Sequence, residues 1–143
     1  MTATRESAAA RRTAPCPFRR TFLVTGALLA LAGAAGAVQL IAGAATPPVD
    51  DLEPLGLHSW VLPGIWLFVS VAVPWAIATV LATRRRRVTP AAVLVACALL
   101  LFELVVQIPF VGPSPLQAVL GTVALVIGGL AWRARRTGWT ATD

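Results

Sequence analysis

Four long apolar runs constrain this chain more than any other feature. Thr21 to Ala45, Trp60 to Thr83 and Leu116 to Trp132 carry no charged side chain, and Val88 to Pro109 carries one, Glu103. At about 1.5 Å of rise per residue, some twenty apolar residues in a helix cross a hydrocarbon core about 30 Å thick. Backbone in that core must satisfy its own hydrogen bonds, and a helix does so within its own segment. The runs predict an all-α integral membrane protein, a four-transmembrane-helix antiparallel bundle with spans at about 21–45, 60–83, 88–109 and 116–132. Composition agrees. Hydrophobic residues make up 57% of the 143 and charged residues only 13%, whereas about a quarter of a soluble domain is charged.

The segments between the runs place breaks and caps. Residues 1–20 are Arg-rich, broken by Pro15 and Pro17, and read as a basic, disordered cytoplasmic tail. Thr46 to Ser59 holds Asp50, Asp51 and Glu53, with Pro47, Pro48 and Pro54 forbidding a continuous helix. Arg84 to Arg87 is only long enough to turn the chain, so spans two and three are expected to be antiparallel neighbours. Thr89-Pro90 suits a helix start, and Phe110 to Pro115 suits a tight turn. Pro74, in mid-span, is expected to kink the second helix. Residues 133–143 form a second basic tail.

Charge sets the orientation. The twelve basic residues are all arginine, five in the N-terminal tail, four in the middle turn and three in the C-terminal tail. The excess of arginine on cytoplasmic segments then puts both termini and the middle turn in the cytoplasm of a cell-membrane protein, with the acidic loop outside. Arg19, Arg20, Arg84, Arg85, Arg86, Arg87, Arg133, Arg135 and Arg136 read as topology anchors and contacts to anionic lipid headgroups. A net charge of +6 does not indicate nucleic acid here, because no aromatic residues interleave with the arginines to stack bases.

The first run has a rival reading. Arg19-Arg20-Thr21-Phe22-Leu23 followed by an Ala-rich stretch resembles a twin-arginine export signal, with Ala35-Gly36-Ala37 as a small-residue cleavage site. Such signals carry folded soluble cargo, and three further apolar spans follow here, which favours a retained helix. The small residues Gly26, Gly33, Gly36 and Gly43 on span one, and Gly121 and Gly128 on span four, mark faces that admit another helix closely. They suggest a homo-oligomer or a larger membrane complex beside the lipid bilayer.

The chemistry gathers at one level. Glu103 lies 15 residues past Val88, roughly 22 Å from the cytoplasmic edge of the core and so in its outer third. Gln107 is one turn further out on the same face. Gln39, Gln117 and Trp66 fall at comparable depth on the other spans, and His58 stands in the outer loop. A carboxyl in the bilayer core costs a few kcal/mol and normally faces the bundle interior. It is expected to be protonated or hydrogen-bonded to an amide, with Gln107, Gln39 and Gln117 as candidate partners.

Three readings of this layer stand side by side. Glu103 pins span three to spans one and four, belongs to a ligand, ion or proton site with Gln107, Gln39, Gln117, Trp66 and His58, or contacts a partner protein. Trp66 and Trp75 read first as packing residues, and the three loop acids as a solvated loop. Cys16 and Cys97 lie too far apart for a disulfide, and one His with no C-x-x-C pair argues against a metal site. No cofactor motif and no catalytic set of paired groups is present.

The functional expectation is a small membrane protein without evident catalytic machinery. It holds an apolar or amphipathic small molecule in an outer-leaflet pocket near Glu103, or serves as an accessory subunit. The alternative is a proton-coupled small-molecule transporter, a homo-oligomer with Glu103 as carrier carboxyl. A third is an intramembrane enzyme acting on a lipid or isoprenoid.

Overall fold

The computed structural model describes residues 18–44 and 46–137. Four helices carry the fold: α1 (Arg19–Ala42), α2 (Val61–Thr83), α3 (Thr89–Val111) and α4 (Pro115–Thr137). All four are long and apolar enough to cross a membrane, and no strand occurs among the described residues. The expected tail at residues 1–17, with Cys16, and the end beyond Thr137, with Trp139, lie outside the described residues.

Boundaries differ from expectation where a cap or a break acts. α1 already includes Arg19 and Arg20, so these two are helical rather than part of a tail. It ends at Gly43, whose positive φ of 68° lets its N–H reach back to the Gln39 and Leu40 carbonyls. α3 runs through Pro109 to Val111 and stops at Gly112, so the turn is shorter than Phe110–Pro115. α4 continues past Trp132 and carries Arg133, Arg135 and Arg136 in its last turns. Cations suit that position, where the unpaired carbonyls lie. Its start is a capping box, with Gln117 N–H donating to Ser114 Oγ at 3.3 Å and Ser114 N–H to Gln117 Oε1 at 3.0 Å.

Pro74 reshapes α2. Proline lacks an N–H, and its ring crowds the carbonyl four residues back. The chain relieves this with a π-helical segment at Phe68–Ala72, immediately before the proline, in which the Val73 N–H donates to the Phe68 carbonyl five residues earlier. A π segment shifts every side chain before it around the axis relative to those after it.

Each helix packs chiefly on its neighbours in sequence, α1 on α2, α2 on α3 and α3 on α4. Small residues set the spacing. Gly26 faces Thr79 and the Trp75 carbonyl, Gly33 faces Val71 and Ala72, and Gly36 faces Leu67. Gly121 faces Leu104, and Gly128 faces Cys97. Five of the six glycines singled out in the sequence thus face a neighbouring helix of this chain, while Gly43 faces nothing within 4 Å. The core formed between the helices comprises Phe22, Leu29, Trp75, Val93, Leu100 and Ile127 with Ala78, Ala82, Ala96, Ala131 and Ala134. Large apolar side chains such as Leu28, Leu31, Val69, Phe102, Val105 and Leu125 are exposed on the outward faces, as a hydrocarbon solvent requires.

Arg19 bridges two helices. Its Nε donates to the Ala82 carbonyl at 3.0 Å and an Nη to the Thr83 carbonyl at 3.2 Å. These are among the last carbonyls of α2, and that of Ala82 also accepts from the Arg85 N–H at 3.3 Å. Arg19, one of the arginines expected to anchor topology and meet headgroups, thus also caps a helix of its own chain.

Candidate functional site

The i, i+4 rule builds the centre of the site. Trp66 and Ser70 stand one turn apart on α2, and Glu103 and Gln107 one turn apart on α3, so each pair shares a helix face. The two faces meet. Trp66 Nε1 donates to Glu103 Oε2 at 2.7 Å, and Ser70 Oγ donates to the same oxygen at 3.2 Å. Gln107 Nε2 donates to Oε1 at 3.2 Å. Glu103 is only 5% exposed, so burial withdraws it from solvent while three donors replace the lost water. All three donors are uncharged. Ser70 lies inside the π segment, which sets its direction relative to the straight part of α2 beyond Pro74.

This carboxyl forms part of the wall of a cavity of about 530 Å³. Leu40 of α1, Ile65, Trp66, Leu67 and Val69 of α2, and Val106 and Gln107 of α3 line it with Glu103. The loop before α2 supplies the rest of the wall through Leu52, Leu55, Leu57 and Trp60. A 3₁₀ segment, Val49–Leu55, turns Leu52 inward to 2% exposure while Asp50, Asp51 and Glu53 stay exposed. Trp60 Nε1 donates to the Pro47 carbonyl at 2.9 Å and ties the loop to the start of α2. A mostly apolar cavity of this size with a few convergent polar groups is the usual form of a small-molecule site.

The structure brings together three of the six expected site residues, Glu103, Gln107 and Trp66. The other three are elsewhere. Gln39 is exposed, off the α1 face that buries Gly33 and Ala37. Gln117 spends its amide on the α4 cap, because Ser114 offers a partner within its own turn. His58 is exposed in the loop and is not part of the cavity wall. The expected tie from Glu103 to the first and fourth spans is replaced by a tie to the second. Ser70 and the leucines of the loop were not anticipated. The spacing of Ser70 from Trp66, matching that of Gln107 from Glu103, was the available signal.

Trp66 and Trp75 have different fates. Trp66 is 51% exposed and uses its N–H on Glu103. Trp75 is fully buried in the core, and its Nε1 is a buried side-chain nitrogen without a partner among the described residues. Packing dominates at Trp75 and hydrogen bonding at Trp66. Among the described residues, no group of three or more His, Cys, Asp or Glu could hold a metal ion. No family model, curated protein or solved structure matches this chain, so its function is argued from its own residues.

Proposed function

We propose that this protein is a multi-pass cell-membrane protein that holds an apolar or amphipathic small molecule in an outer-leaflet pocket ending at Glu103. In this reading the bundle is antiparallel, both termini are cytoplasmic and the acidic loop covers the pocket from outside. The cavity carries the reading, because its wall is almost wholly apolar and its principal polar group is a carboxyl already oriented by Trp66, Ser70 and Gln107. Preorganised polar groups at one end of an apolar space orient a ligand as well as bind it. The charge pattern supports the orientation, since Arg84 to Arg87 and the arginines of the α4 end flank spans while Asp50, Asp51 and Glu53 stand by the cavity.

A proton-coupled carrier would need Glu103 to be reached from the cytoplasmic side as well. Between Thr89 at the start of α3 and Glu103, the buried residues Pro90, Val93, Ala96, Cys97 and Leu100 carry no hydroxyl, amide or carboxyl, which favours binding over carriage. The test uses the full chain in lipid nanodiscs, titrated with phenylbutanol by calorimetry against empty nanodiscs. Saturable binding that is lost in Val106→Trp, a variant that fills the cavity, is the expected result. Absence of saturable binding in the unaltered chain, or binding untouched by Val106→Trp, would overturn the reading. Co-purification with a large complex in mild detergent, without such binding, would favour the accessory-subunit alternative.

A further inference from the structure

We infer that the occupant of this cavity is a lipophilic cation, an apolar body with an ammonium head that pairs with Glu103. The inference rests on the pocket reading and adds the chemistry of the ligand. Three observations carry it. A carboxylate offers about four lone-pair sites, and three donors occupy Glu103, two on Oε2 and one on Oε1. The count leaves one acceptor position, on Oε1, and Glu103 lines a cavity whose wall contains no basic side chain among the described residues. The three donors that Glu103 has in the protein are all uncharged, and an ammonium head would add both a further donor and a positive charge to the carboxyl.

The loop points the same way. Asp50, Asp51 and Glu53 are exposed on the segment whose Leu52 and Leu55 line the cavity. Together with Glu103 they are all the acidic residues of the described chain. The described arginines stand away from the cavity, at the start of α1, in the turn after α2 and at the end of α4. Exposed acidic side chains on a segment that supplies part of the wall raise the local concentration of cations. The remainder of the wall is leucine, isoleucine, valine, proline and tryptophan, which suits a hydrocarbon or aromatic body. Trp66 adds an aromatic surface of the kind that attracts cations.

The experiment compares phenylbutylamine, phenylbutanol and phenylbutyrate, which share one apolar body, on the full chain in nanodiscs of uncharged lipid. The amine is expected to bind at least about tenfold more tightly than the alcohol, the ratio that a charge-assisted hydrogen bond gives, and the acid more weakly than either. Glu103→Gln should remove the amine's advantage, so that amine and alcohol bind with the same affinity. Neutralising the rim with Asp50→Asn, Asp51→Asn and Glu53→Gln leaves the helices untouched. It should weaken the amine alone by a few-fold, more so at low salt. Equal binding of amine and alcohol to the unaltered chain would overturn the cationic head and leave the pocket standing. Failure of all three probes to bind would overturn the pocket with it.

Discussion

The indole N–H of Trp66 on α2 donates to Oε2 of Glu103 on α3 across 2.7 Å. This is the shortest of the three bonds to the carboxyl, and it joins two different helices. Trp66→Phe keeps the ring and removes the donor. The measured worth of interhelical polar bonds in membranes averages about 0.6 kcal/mol, and bonds to charged groups run higher. The variant should therefore lose about 1 kcal/mol of stability. A thiol-reactive fluorogenic dye reads this as an earlier melting transition, because Cys97 is buried until the bundle opens. The measurement belongs in a Cys16→Ser background. An unchanged transition would show that the bond adds nothing.

At Gly64 the backbone of α1 comes within reach of α2. A Cβ there would lie 2.8 Å from Ile41 Cγ1 and 3.0 Å from the Ala37 carbonyl, and the latter is backbone that cannot swing away. Gly64→Ala should cost about 1–3 kcal/mol, as overpacking does. Gly129→Ala meets nothing within 4 Å and removes a helix-destabilising glycine. It should be neutral or stabilise by up to about 1 kcal/mol. The same dye assay compares the two, and equal melting would refute the packing argument.

Arg19 and Arg20 are neighbours with different tasks. Arg19→Ala uncovers the Ala82 and Thr83 carbonyls, and about 1 kcal/mol should be lost. Arg20 is exposed, and Arg20→Ala should leave melting within about 0.5 kcal/mol of the parent. If both variants melt alike, the cap is not what Arg19 contributes.

The amide of Gln117 serves its own helix. Gln117→Ala should cost about 0.5–1 kcal/mol through the loss of half a capping box. It should not alter phenylbutanol binding, since Gln117 does not line the cavity. Gln107→Ala should weaken probe binding, because that amide both lines the cavity and holds Oε1. The opposite pattern in the titration would assign the site to the wrong glutamine.

Orientation is open to direct labelling. In a chain free of its natural cysteines, a cysteine at position 51 should react with a membrane-impermeant maleimide added to intact cells. One at position 85 should react only after the membrane is opened. Reversed labelling would invert the proposed topology.

The number of long apolar helices was legible in the amino-acid sequence because the free energy of transferring apolar residues into hydrocarbon sums along the chain, independent of what any one helix packs against, whereas their ends were set by local caps and breaks. The arginine clusters are equally local, and so was the capping box at Ser114 and Gln117, which went unread. Position along each helix was legible too, since rise per residue is constant. It put Glu103 level with several polar residues but left the direction of each undecided. Direction is a rotation about the helix axis, and tertiary contacts decide it. The glycines of α1 and Gly64 bring α1 against α2, and the π segment before Pro74 sets Ser70 toward Glu103 while Gln39 is left on an exposed face. The sequence by itself determined that a carboxyl lies at that depth in a helix of this protein. Only the packing of α2 on α3 and the inward turn of Leu52 decided that it ends an apolar cavity, because those contacts join residues far apart in the chain.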